Sequence, residues 1–196
     1  MKRFILLIWA CIIAAAAHAQ AVTSEIIMNS QDPDTGLRAI GTNSVTIRNG
    51  FTDRHPLQVG LLALETSEGW IYTLNVTLTE ASSRALPEGG LLMLKTPAGD
   101  VIEMTNVLDA LTSQDFVGRL VDGTTTWVYD NKGGYETDLE QLVAIGRAGV
   151  HKIRVQTQGG YFDTEYKKEQ WSKVISAHVK TLQGAIRQNK DIRSDF

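Results

Sequence analysis

One phrase occurs twice in this chain, and it constrains the fold more than any other feature. Leu61-Leu62-Ala63-Leu64-Glu65-Thr66-Ser67-Glu68-Gly69 is echoed by Leu91-Leu92-Met93-Leu94-Lys95-Thr96-Pro97-Ala98-Gly99, with the leucines, the threonine and the glycine at a constant offset of 30. Each copy runs apolar into a turn signal and is followed by a second β-rich run, so each predicts a β-hairpin. The phrase has no third copy, which argues against a solenoid built on it. From Leu57 to Glu65 the apolar residues fall on both faces, Val59, Leu61 and Ala63 on one, Leu62 and Leu64 on the other. A strand of that kind lies inside a sheet and needs a cover.

The C-terminal region offers one. Trp171, Ile175, Val179, Leu182 and Ile186 recur at helical spacing, with Lys167, Lys168, Lys173, Lys180, Arg187 and Lys190 around the other faces. This pattern predicts an amphipathic helix over about Glu165–Lys190, capped by Asp163 or Thr164. Before it, Asp138 and Gln141 form a capping box for a shorter helix with Leu139, Leu142, Val143 and Ile145 on its apolar face, ended by Gly146 and Gly149. Val150–Thr157 reads as a strand, with His151, Ile153 and Val155 opposite Lys152, Arg154 and Gln156.

The remaining strands are shorter or more ambiguous. Val22–Asn29, Leu37–Ile40, Ser44–Arg48 and Trp70–Thr79 are predicted strands, the last alternating most cleanly. Asp32-Pro33-Asp34-Thr35-Gly36 reads as an Asx-type turn, lacking the further oxygen ligands of a calcium loop. Asn49-Gly50 is a turn signal, and Phe51–Pro56 a loop. Val107–Phe116 is expected to form a short helix or crossing loop. Thr124–Tyr129 reads as a strand, Asp130-Asn131-Lys132-Gly133-Gly134 as its turn, and Tyr135–Thr137 as the start of a return. The fold class expected is α+β, an antiparallel β-sheet or open sandwich of hairpins packed by a long C-terminal helix. An all-β sandwich with a peripheral helix is the alternative.

Compartment follows from the first residues. Lys2 and Arg3, the apolar run Phe4–Ala17, and the small residues of Ala17-His18-Ala19 make a secretory signal peptide, with Ala19-Gln20-Ala21 as a second cleavage site. The domain plan is therefore a signal peptide at 1–19 and one α+β domain at 20–196. A lipoprotein reading of Cys11 fits less well, because the apolar run continues past it. Cys11 is the chain's one cysteine. Its removal leaves no disulfide or thiol chemistry, which suits a bacterial periplasm or cell surface. Removing Lys2 and Arg3 also leaves 17 basic against 22 acidic residues, a net charge near −5 that argues against nucleic-acid partners.

Chemistry-bearing motifs are sparse. His55, His151 and His178 show no metal-ligand spacing and read as structural or surface histidines. Nucleophile elbows, phosphate loops and dinucleotide fingerprints are absent, and no cofactor is expected. Glu65 with Glu68, Asp100 with Glu103, and Asp163 with Glu165 lie where charge is ordinary. Asn75-Val76-Thr77 matches a glycosylation triplet but falls mid-strand. Trp127, Tyr129 and Tyr135 are the candidate binding residues: exposed, they would form a platform for a sugar or a protein; buried, they would be cross-strand packing.

Asp34-Thr35-Gly36, Leu86-Pro87-Glu88-Gly89-Gly90 leading into Leu91-Leu92-Met93-Leu94-Lys95, Tyr135 ahead of Glu140-Gln141-Leu142, and Gly149–Arg154 before Asp163 and Tyr166-Lys167-Lys168 resemble small exported bacterial proteins of unknown function. That resemblance implies a β-rich body with a C-terminal helix, and no activity. The function expected is a non-catalytic envelope or surface-associated binding module whose partner is an envelope protein or glycan. The alternatives are a hydrolase whose site assembles only in three dimensions, or an assembly subunit pairing through sheet edges.

Overall fold

The computed structural model describes residues 23–47, 57–119 and 125–194. The expected signal peptide with Cys11, the expected Asn49-Gly50 turn and His55 lie outside them. The described chain is mostly antiparallel β-sheet with a C-terminal helix. In order it runs β1 (Ile26–Gln31), β2 (Arg38–Thr42), β3 (Val45–Ile47), β4 (Leu57–Thr66), β5 (Gly69–Glu80), β6 (Leu91–Lys95), β7 (Val101–Thr105), β8 (Leu111–Arg119), β9 (Thr125–Thr137), α1 (Leu139–Ala148), β10 (Lys152–Thr157), β11 (Gly160–Glu165) and α2 (Lys168–Ser194). No helix among the described residues is long and apolar enough to cross a membrane.

The strands form two sheets. The larger has the order β1-β2-β4-β5-β9-β8, with β3 also beside β4; the smaller has the order β11-β10-β6-β7. Both copies of the doubled phrase are hairpins, but they part company. Leu61–Gly69 builds β4–β5 at the centre of the larger sheet, and Leu91–Gly99 builds β6–β7 in the smaller one. Their turns share a design. Gly69 and Gly99 have φ of 134° and 101°, and no residue other than glycine has positive φ among those described. The glycine after the turn thus carries the left-handed backbone that hairpin closure needs. Thr157-Gln158-Gly159-Gly160 repeats the device between β10 and β11, with φ 117° at Gly160.

One apolar core joins the sheets and both helices. Leu57, Val59, Leu61 and Ala63 of β4 meet Leu74, Val76 and Leu78 of β5, Leu92 and Leu94 of β6, Ile153 and Val155 of β10, and Trp171, Ile175, Val179 and Leu182 of α2. Each such buried side chain contributes about 1.5–3 kcal/mol. The predicted stripe is thus the cover for the inner face of β4. On the outer face, Leu62 forms a separate small cluster with Ala39, flanked by Ile27, Met28 and Leu64. The helices cross closely at Gly146: a Cβ there would meet Ser176 Oγ at 2.8 Å, and Ser172 donates to the Gly146 carbonyl.

Several expectations are corrected. Gly146 does not end α1; it lies inside the helix, and Gly149 (φ 72°) is the stop. Asp163 and Thr164 do not cap α2, because 160–165 form β11 and the helix begins later. Val107–Phe116 is not a helix: 107–110 form a connection and β8 begins at Leu111. Residues 130–134 do not turn; they continue β9 opposite 75–79 of β5. Neither Gly133 nor Gly134 has positive φ, and Gly133 is required by close approach. A Cβ at Gly133 would strike Tyr135 Cε2 at 3.1 Å and Leu86 Cδ1 at 3.2 Å.

Candidate functional site

The alternation along β9 puts Trp127, Tyr129, Asn131, Gly133 and Tyr135 on one face, the face turned to the core. The three candidate aromatics share that face but not its environment. Tyr135 is fully buried. Its ring lies against Gly133, and burial pushes its phenol well above the usual tyrosine range. It is a packing residue, and the platform reading fails for it. Tyr129 is half-buried, while Trp127 is 41% exposed.

The cause is a mismatch in strand length. β5 stops at Glu80, opposite Tyr129. Beyond that point residues 125–128 of β9 pair only with β8 among the described strands, in a two-stranded arm that outruns the sheet. The register places Trp127 opposite Phe116, beside a bulge between Phe116 and Gly118. A bulge increases local twist and re-aims neighbouring side chains. A two-stranded ribbon is marginal by itself, so an arm of this kind gains from contact with something else.

Below the arm the inner face is closed by the 81–90 connector, which two buried asparagines hold down. Asn131 Nδ2 donates to the Leu78 carbonyl, and its Oδ1 accepts from Arg84 N and Thr112 Oγ1, each at 3.0 Å. Asn106 Nδ2 donates to the carbonyls of Leu86 and Pro87, and its Oδ1 accepts from Gly134 N at 2.9 Å. Buried amides so fully engaged rigidify what they tie. At the foot of the arm, Glu80 is buried with its Oε2 3.7 Å from Arg84 Nε. Glu80 and Gln114 flank Tyr129 on the neighbouring strands. Trp127 lies two residues along the strand from this set of one carboxylate, one guanidinium and one amide around Tyr129. That combination suits a sugar or a peptide, which offer a flat or apolar surface edged with hydrogen-bonding groups.

The other singled-out residues are dispersed. His151 sits just before β10, its N–H donating to the Lys95 carbonyl. His178 is fully buried in α2, with Nδ1 2.8 Å from Ser24 Oγ. Burial holds its imidazole down to about 4, against a smaller opposing effect of the Val59 backbone. Groups of His, Cys, Asp or Glu that could hold a metal are not found among the described residues. Asp32 Oδ1 accepts from Asp34 N and Thr35 N, an Asx turn; those bonds, the Asp34 one first, hold its carboxyl below the usual range. Asp163 is gripped by Arg154 through two bonds of 2.7 and 2.6 Å. A groove of about 470 Å³ runs between Ile26 and the α2 residues Ala177, Thr181 and Gly184, away from the arm.

The outer face of the larger sheet holds a polar row that the alternation of β5 predicts to be wet. Thr73, Asn75 and Lys132 are instead buried. Burial at Asn75 leaves its triplet a poor glycan acceptor. Lys132 Nζ donates to Ser113 Oγ at 3.1 Å. Burial lowers the lysine's pKa, and Asp130 and Asp115 act against it. Asp130 Oδ1 also accepts from Thr79 Oγ1 at 2.6 Å.

Sequence reasoning missed Asn106, Asn131 and the arm itself. The asparagines carry no local signal, since their partners lie 19 to 53 residues away. The arm was hidden by the misread turn at 130–134. No family model, no curated protein and no solved structure matches the chain.

Proposed function

We propose that this protein is a non-catalytic binding module of a bacterial envelope, exported by its N-terminal segment, and that the β8–β9 arm is its contact element. The observation that carries the reading is the 41% exposure of Trp127 on a strand whose odd-numbered residues from Tyr129 to Tyr135 are half or fully buried. A partly exposed indole is a common anchor of binding surfaces. The partner it suits is an envelope protein or glycan that stacks on Trp127 and reaches the polar base around Glu80 and Arg84. The test is a pull-down from the native envelope with the exported protein and its Trp127→Ala variant. Trp127→Ala is expected to keep the native circular dichroism spectrum and lose the partner. Equal recovery by both proteins would defeat the reading.

A further inference from the structure

The terminal strands of the two sheets differ in how they are finished. In the larger sheet, β1 has a register break between Ile26 and Met28, and β8 has one between Phe116 and Gly118. Bulges of this kind spoil an edge as a template for another strand. In the smaller sheet, β7 and β11 pair in unbroken register and contain neither proline nor lysine. β7 is short and is fastened to the larger sheet at its end, where Asn106 bridges to Tyr135. Among the described strands β11 is terminal and regular over Gly160–Glu165, and its Tyr161 is 56% exposed.

We propose that β11 pairs antiparallel with β11 of a second copy of this chain, across a two-fold axis at Phe162, so that the two smaller sheets become one. Pairing that keeps the core faces together allows the axis only at a residue, not between residues. At Phe162 it sets Tyr161 opposite the second copy's Asp163 and Gly160 opposite its Thr164. The tyrosine then meets an Arg154–Asp163 fork from the second copy. Within one chain Arg154 already lies 5.4 Å from the Tyr161 ring centroid, a cation–π contact. An axis at Asp163 would oppose two aspartates, and one at Thr164 would oppose Asp163 to Glu165; like charges directly opposite are unfavourable. The fully overlapped open-ended pairing of β11 with β7 would set Asp163 against Glu103. Charge thus favours a closed dimer over a growing filament. This inference stands on the smaller sheet and is independent of the arm; Trp127→Ala leaves it untouched.

Light scattering over a concentration series, on the exported protein and on Tyr161→Asp and Tyr161→Lys, tests it. The native chain is expected to dimerise. Tyr161→Asp puts two new like-charge pairs across the axis and should weaken the dimer about tenfold, ~1.4 kcal/mol. Tyr161→Lys faces Asp163 and should retain it. In the exported protein, Phe162→Cys should form an intermolecular disulfide, whereas Asp163→Cys lies too far from its symmetry mate. If Phe162→Cys fails to fold, the two Tyr161 variants decide. A monomer throughout, as expected if β11 serves a strand of another protein or nothing at all, overturns the proposal. So does a dimer indifferent to Tyr161→Asp.

Discussion

At the scale of single residues, His178 couples this protein's stability to pH. Its imidazole is fully buried beside Ser24, and Thr181 Oγ1 donates to the Ser24 carbonyl, so the start of the described chain is tied to α2 at this point. The folded pKa of about 4 lies below the ordinary value of 6.5. The unfolded chain therefore takes up the proton first. Stability is complete above about pH 6.5 and is lost as pH falls towards 4. By pH 5 the loss from this group alone is about 2 kcal/mol. Urea denaturation at pH 7 and pH 5 measures it, and His178→Gln should flatten the difference. An unchanged pH dependence in that variant would show that the histidine is not the source. Sequence read this residue as a structural or surface histidine. Its hydrogen-bond partner Ser24 lies more than 150 positions away, which no local pattern displays.

Elements show how far a doubled phrase determines structure. Both copies make hairpins, yet their threonines have opposite circumstances. Thr66 Oγ1 donates to the Gly69 carbonyl at 2.9 Å and accepts from Glu68 N. Thr96 Oγ1 is buried with no hydrogen-bond partner among the described residues. Thr66→Val should cost about 1 kcal/mol, whereas Thr96→Val should be neutral or stabilising, since it removes an unsatisfied buried hydroxyl without changing shape. Thermal denaturation of the two variants settles the sign. The hairpins were legible because each is specified within about ten residues, by alternation and a Thr-x-x-Gly turn. The same holds for α1, whose Asp138 cap accepts from Gln141 N at 2.7 Å. β8 and β11 were not legible. β11 is short and runs into a helix whose capping residues seemed to begin earlier. In β9 the Gly-Gly pair carries a strong turn signal, overruled by the need to fit Tyr135 and Leu86 against the backbone.

For the molecule as a whole, the shared core makes a single cooperative unit the expected behaviour. Leu94 belongs to the smaller sheet but packs in the same cluster as Leu61 and Trp171. Leu94→Ala should cost about 2–5 kcal/mol. It should shift the transition seen by tryptophan fluorescence and by circular dichroism to one common lower midpoint. Two separated midpoints would mean that the sheets unfold independently. The candidate site obeys the same division of labour. That Trp127 and Tyr129 share a face was readable from alternation; which of them reaches water was not, because that depends on where β5 ends and how the connector is strapped down.

The arm's position has a consequence for how this protein can change over generations. Residues 125–128 extend past the last pair that β5 makes, so β5 does not constrain them by pairing. At the half-exposed Trp127 a substitution is screened by the partner as well as by folding. Under the reading advanced for Trp127, the arm is where specificity can drift between relatives while the doubled leucine hairpins stay fixed.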